Sequence, residues 1–171
     1  MEKLKGLKRI IKGEVLFDEL TRTLYSTGAS IYKIKPTAVV IPKDKEDVVQ
    51  LIEYARKEGL PVIPRGACSS LTGAAIGSGI VIDFTKYMNQ IIQVNGDFVD
   101  VQPGIVYAGL NKKLATANRF FAPDPSSGDF CTIGGMLGCN AGGAHSVKYK
   151  ATNEYVESLE VVLASGELVN I

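Results

Sequence analysis

Residues 122–149 read Ala-Pro-Asp-Pro-Ser-Ser-Gly-Asp-Phe-Cys-Thr-Ile-Gly-Gly-Met-Leu-Gly-Cys-Asn-Ala-Gly-Gly-Ala-His-Ser-Val-Lys-Tyr. Gly128, Gly134, Gly135, Gly138, Gly142 and Gly143 stand here among Ser126, Ser127, Thr132 and Asn140. Glycine lets a main chain approach a ligand and permits positive φ, so successive N–H groups can turn toward one bound group. No Lys or Arg precedes Lys148 in the stretch, so an anion would be held by neutral donors. The pyrophosphate of a dinucleotide is one such guest. Glycine clusters can also be simple turns; two Gly-Gly pairs with polar neighbours, after the rigid Pro-Asp-Pro-Ser-Ser, favour a binding loop.

A chain of 171 residues is expected to form one domain, or two small lobes sharing a ligand. With 46% apolar residues it can bury a core, and a net charge of +1 with scattered basic residues excludes a nucleic-acid partner. Cys68, Cys131 and Cys139 are odd in number and lack Cys-x-x-Cys spacing, which argues against a disulfide framework. No apolar run approaches a membrane span, and no signal peptide is evident. A soluble protein of a reducing cytoplasm is expected.

Around the glycine stretch the chain divides into parts. Residues 1–24 carry Leu4, Leu7 and Ile11 at helical spacing between Lys3, Lys5, Lys8, Arg9 and Lys12, an N-terminal helical extension. A helix docked on the domain is preferred there over one lying on a membrane surface. Residues 38–41 read as a buried strand after Pro36. A helix follows, capped by Asp44, with Val48, Leu51, Ile52 and Ala55 inward and Gly59 as its stop. Residues 61–64 and 80–83 are further strands, giving a parallel β-α-β lobe. Between them, residues 65–79 form a second small-residue loop at a strand's carboxyl end, where open α/β sheets place ligands. It has neither the Gly-x-Gly-x-x-Gly order nor a P-loop ending, which disfavours a nicotinamide Rossmann site.

The second half changes character. Residues 91–94 and 98–101 flank Asn95-Gly96 as a hairpin. Val106, Leu110 and Leu114 mark a helix, and residues 159–163 and 167–171 make another hairpin. The expected fold class is α+β: a small parallel β-α-β lobe, about residues 25–88, packed on an antiparallel lobe with helices, about 89–171. The two glycine loops meet at the seam.

Arg65-Gly66-Ala67-Cys68-Ser69-Ser70-Leu71-Thr72-Gly73, Pro123-Asp124-Pro125-Ser126-Ser127, Thr132-Ile133-Gly134-Gly135 and Asn140-Ala141-Gly142-Gly143 resemble the FAD-binding fold of the vanillyl-alcohol oxidase and p-cresol methylhydroxylase family. The resemblance is strongest to glycolate oxidase flavoprotein subunits and FAD-linked D-lactate or D-2-hydroxyglutarate dehydrogenases, and spans about residues 20–171. Residues 25–32 and 142–146 also resemble the branch carrying an iron–sulfur domain. The resemblance implies FAD buried between the lobes. Pro64, Arg65, Gly66, Ala67, Cys68, Ser69, Ser70, Thr72 and Gly73 would serve the diphosphate. Pro125, Ser126, Thr132, Ile133, Gly134, Gly135, Gly138, Asn140, Gly142 and Gly143 would line the flavin and ribityl side.

The first loop lacks the histidine through which some relatives attach FAD, so non-covalent FAD is expected. Family chains continue into further strands and a cap domain carrying substrate and base, so residues 25–171 read as an FAD-binding domain incomplete at its C-terminus. A 2-hydroxy acid is the substrate in the full-length setting, with an iron–sulfur partner or a second copy as candidate companions. His145, the only histidine, is a candidate base, though a structural hydrogen-bonding role is preferred. Cys68 and Cys139 are expected as small buried residues rather than metal ligands. Arg65 either steers the anionic cofactor or braces the loop by a salt bridge. The reading is the FAD-binding part of a 2-hydroxy-acid oxidoreductase; the alternative is a non-catalytic FAD or nucleotide module, or a fragment inactive by itself.

Overall fold

The computed structural model describes residues 2–171, and the side chains of residues 4–171; the Lys3 side chain, counted above among the basic residues, lies outside them. Helix α1 spans Glu2–Ile10, strand β1 Glu14–Leu16 and helix α2 Glu19–Leu24. Leu4, Leu7 and Ile11 are buried in one core with Ala38, Val40, Leu51 and Ile80, so the apolar stripe of α1 docks on the domain while Lys5, Lys8, Arg9 and Lys12 stay exposed. The expectation of helix throughout residues 1–24 is corrected at β1. The buried Asp47 carboxylate accepts the N–H groups of Lys12 at 2.8 Å, Gly13 at 2.9 Å and Lys43 at 2.8 Å. That turn stops α1 and delivers residues 14–16 to a sheet edge, a tertiary constraint that overrides local propensity.

Strand β2 (Ala38–Ile41) leads through α3 (Lys45–Glu58) to β3 (Val62–Arg65), and β4 (Ile80–Asp83) follows. The Asp44 side chain caps α3 by accepting from Asp47 N at 3.0 Å, and Gly59 ends it in the left-handed conformation. The sheet order is β1-β2-β4-β3. β1 is antiparallel to β2, whereas β2 and β3 both run parallel to β4. Alternation along the strands sends Ala38, Val40, Ile80 and Ile82 toward the α1/α3 core, and Val39, Ile41 and Val81 toward Tyr25, Ile63 and Tyr87. Adjacent parallel strands are usually joined through a helix. Here β3 and β4 are joined by residues 66–79 with no helix at all, which leaves that backbone to find partners elsewhere.

The second lobe opens with the hairpin β5 (Ile91–Asn95) and β6 (Phe98–Val101). Its closing pair is Asn95 with Phe98, so the turn centres on Gly96-Asp97, one residue beyond the expected Asn95-Gly96. Helix α4 (Tyr107–Leu114) is followed by α5 (Ile133–Cys139), α6 (Ser146–Tyr149) and the hairpin β7 (Glu160–Val162) and β8 (Leu168–Asn170). Among the described residues the two hairpins are separate two-stranded sheets rather than one antiparallel sheet. Helix α5 lies inside the stretch read above as loop. The Thr132 side chain caps it at Gly135 N, 3.2 Å, and Ile133 and Met136 bury themselves against Ile105, Leu110 and Leu114. Each glycine in a helix interior costs up to about 1 kcal/mol relative to alanine; the buried apolar face and the cap offset that. The architecture is mixed α+β, with a core in each lobe.

Candidate functional site

The two glycine stretches meet where the lobes meet. A Cβ on Gly66, just past β3, would contact the Thr132 side chain at the start of α5. Thr132 in turn bridges to Val106 in antiparallel fashion. Ile133 N donates to Ile105 O at 2.9 Å and Gly134 N to Pro103 O at 2.8 Å, anchoring the α5 end in its own lobe.

Beside this seam opens a cleft of about 490 Å³. One lip carries Gly28, Ala29, Arg65, Ala67, Cys68 and Ser69; the other carries Val106, Asp129 and Phe130. Among the described residues, no main-chain N–H from Gly66 to Ala75 donates a hydrogen bond. Cys68 sits at φ 56°, a left-handed turn that lets consecutive amides converge on one point. Its carbonyl accepts from Ala29 N at 3.1 Å, which ties the loop to residues 28–29. Burial pushes the Cys68 thiol up, keeping it protonated and a poor nucleophile.

Arg65 braces this loop through carbonyls, not through the salt bridge foreseen as one of its roles. Its Nη1 donates to Tyr25 O at 3.0 Å and its Nη2 to Thr27 O at 3.1 Å, and the guanidinium lies 4.8 Å from the Tyr25 ring centroid. The Tyr25 hydroxyl donates to Asp83 Oδ2 at 2.6 Å. Burial, and then the Asp83 carboxylate, hold that phenol far above its ordinary range. The bracing leaves Arg65 as a cation on the lip of the cleft.

The second stretch is built differently. Gly128 N donates to Pro125 O, and Phe130 N and Cys131 N donate to Ser127 O, so many of its amides close its own turns. Its glycines permit close packing of chain on chain: Gly134 against Pro103, and Gly143 against the Asp124 main chain. Gly138 alone faces open space among the second-stretch glycines expected to touch the cofactor. Asn140 adopts φ 47° to end α5, and its side chain accepts from Asn153 N at 3.0 Å. His145 Nδ1 pairs with Asp124 Oδ2, and His145 N donates to Asp124 Oδ1 at 3.2 Å. The His145 hydrogen bond holds the Asp124 carboxyl below its ordinary range.

Of the expected site residues, Arg65, Ala67, Cys68 and Ser69 line the cleft together. Pro64, Gly66, Ser70, Thr72 and Gly73 flank them in the same strand and loop, and Ile133 is buried in the second core. Gly28, Ala29, Val106, Asp129 and Phe130 also line it and were not among the expected site residues. Phe130 is 71% exposed, and an aromatic beside Gly128-Asp129 in a polar loop is the signal that marked it. The expectation that Cys139 is buried is corrected: it is exposed at the last turn of α5. Among the described residues no group of three or more His, Cys, Asp or Glu is placed to hold a metal, and no helix is long and apolar enough to cross a membrane.

The sequence profile of the FAD binding domain matches residues 36–171, and the chain belongs to that family. It is 36% identical over 161 residues to D-2-hydroxyglutarate dehydrogenase of Pseudomonas putida, covering 91% of this chain and 16% of that protein. It is 33% identical over 166 residues to glycolate oxidase subunit GlcD of Bacillus subtilis, covering 93% of this chain and 35% of that one. The chain thus spans about a sixth to a third of the length of these relatives. The solved structure of an alkyldihydroxyacetonephosphate synthase superposes with TM-score 0.87 at 26% identity, over 99% of this chain and 38% of that one. FAD is the cofactor of the family, and the unpaired amides of the first loop are free donors of the kind a diphosphate takes.

Proposed function

We propose that this chain is the FAD-holding part of an oxidoreductase that acts on the CH–OH group of a small 2-hydroxy acid such as glycolate, D-lactate or D-2-hydroxyglutarate. The observation that carries the reading is the helix-free β3–β4 crossover, whose unpaired amides open on a cleft between two lobes. In this reading the N–H groups of residues 66–73 bind the diphosphate, and the Arg65 charge attracts it. Ser126, Thr132, Gly135, Gly138, Asn140 and Gly143 border the flavin and ribityl side. Bound FAD supplies the acceptor for the substrate's hydride. This chain's residues hold the cofactor, orient it and shield it from water.

The substrate's carboxylate and the base that takes its hydroxyl proton fall, in this reading, to parts of the protein outside the matched segment. An iron–sulfur domain is a companion consistent with the motif likeness of residues 25–32 and 142–146, which is to flavoproteins that carry such a domain on the same chain. A second copy of this chain is another. The test is titration with FAD, NAD and ATP, followed by flavin fluorescence. Selective FAD binding, with turnover of a 2-hydroxy acid and an artificial acceptor in a longer protein containing this segment, supports the reading. Equal affinity for ATP and FAD overturns it. FAD binding without turnover in the longer protein would favour a non-catalytic module.

A further inference from the structure

We propose that Asp124 and His145 form a clamp that holds the Pro123–Gly128 turn in its FAD-receiving shape, with His145 Nδ1 as the working atom; this rests on the FAD reading above. The pair joins two segments remote in sequence through both carboxylate oxygens. Oδ2 accepts from Nδ1 and Oδ1 from the main-chain N–H of His145. The clamp closes over Gly143, where a Cβ would stand 1.8 Å from the Asp124 carbonyl oxygen. Gly143 N donates to Ser146 Oγ at 2.8 Å. Thr152 donates from both N and Oγ1 to Ala141 O, at 3.0 and 2.7 Å. Residues 141–146 are therefore a rigid platform, and Asp124 is fastened to it.

What the platform fixes lies one turn further on. Pro125 O accepts from Gly128 N at 2.9 Å, and Gly128 O accepts from Ala108 N at 3.2 Å. Asp124 thus sets the start of a turn that ends against α4 and carries Asp129 and Phe130 to the lip of the cleft. His145 is a positioning residue: its ring is well exposed, and it touches Asp124 rather than the cleft lining.

An imidazole offers two nitrogens, and only Nδ1 is engaged. Asparagine reproduces a donor at the Nδ1 position and glutamine one at the Nε2 position, which separates a clamp from an outward-facing base. The experiment compares the unsubstituted chain with His145→Ala, His145→Asn, His145→Gln and Asp124→Ala by amide hydrogen exchange across residues 123–130 without cofactor, and by FAD titration. Expected are exchange about fivefold faster and FAD binding about fivefold weaker in His145→Ala and Asp124→Ala, with both restored toward the original by His145→Asn and not by His145→Gln. Exchange unchanged in His145→Ala, or restoration by His145→Gln instead, overturns the clamp. If His145→Ala does not fold, the Asn and Gln variants decide between them. Failure of the unsubstituted chain to bind FAD would sink the cofactor reading, while the exchange comparison would still judge the clamp.

Discussion

The Cβ that Gly66 lacks would stand 2.1 Å from Thr132 Oγ1. The end of β3 and the cap of α5 therefore meet across the lobe boundary with no room for a methyl group. Thr132 has two duties at once, closing the seam and satisfying Gly135 N.

Gly66→Ala is expected to destabilise the chain by about 1–3 kcal/mol, because the added methyl displaces a packed hydroxyl and with it the helix cap. Thr132→Ala alone should cost about 1 kcal/mol through the lost cap. With the hydroxyl gone, Gly66→Ala should cost markedly less. Urea unfolding of the two single variants and the double variant checks this; simple additivity would show that the contact carries no coupling.

Two second-stretch glycines should respond oppositely to the same change. Gly143→Ala sets a methyl against the Asp124 main chain, which no rotamer relieves, and should cost about 3 kcal/mol or more. Gly138→Ala meets nothing within 4 Å and should add up to about 1 kcal/mol of stability to α5. Calorimetric unfolding measures both. A Gly138→Ala chain that is more stable yet binds FAD less well would mark that residue as a cofactor neighbour.

Acid stability should depend on Glu14. Hydrogen bonds from Lys86 and then from Tyr87 hold its carboxyl below the ordinary value of 4.5. The unfolded chain therefore takes up this proton at a higher pH than the folded one. The stabilisation is complete well above pH 4.5 and is lost as pH falls through the lower folded value. Glu14→Gln should lower stability at neutral pH and flatten the acid limb of the profile; an acid limb identical to the original would refute the assignment.

Flavin bound to this chain should leave it on acid denaturation. The first loop offers no histidine, and its one thiol, on Cys68, is held protonated by burial, so that loop supplies no ready nucleophile for a covalent link. Precipitation with acid should leave all flavin absorbance in the supernatant. Fluorescence retained by the precipitate would point to a covalent link, and Cys68→Ser would then test its site.

The first lobe was legible because each of its signals is local. Asp44 caps α3 and Gly59 ends it where the pattern put them, and β2 and β4 each carry three consecutive β-branched residues. β1 was not legible: three residues become a strand only because Asp47, far along the chain, gathers the amides of Lys12 and Gly13. Helix α5 was hidden by its own glycines. A glycine that admits a ligand and one that admits another stretch of chain look alike in sequence, and only the fold shows that Gly134 packs on Pro103 and Gly143 on the Asp124 main chain. The loop with free amides, residues 66–75, was identified as a phosphate loop only through its family likeness. Its openness follows from a crossover without a helix, which the small-residue run between the two strands already indicated.

The strand order also sets a schedule. Among the described residues β3 has β4 as its only hydrogen-bonded neighbour, so on a chain emerging from the ribosome it waits, unpaired, until residues 80–83 have been made and slide between it and β2. The segment that spans this wait is residues 66–79, the loop proposed above to hold the diphosphate. Sheet closure and the shaping of the cofactor cradle are thus one event, late for the lobe and non-local in sequence. An apo chain that has not inserted β4 has no cradle to offer.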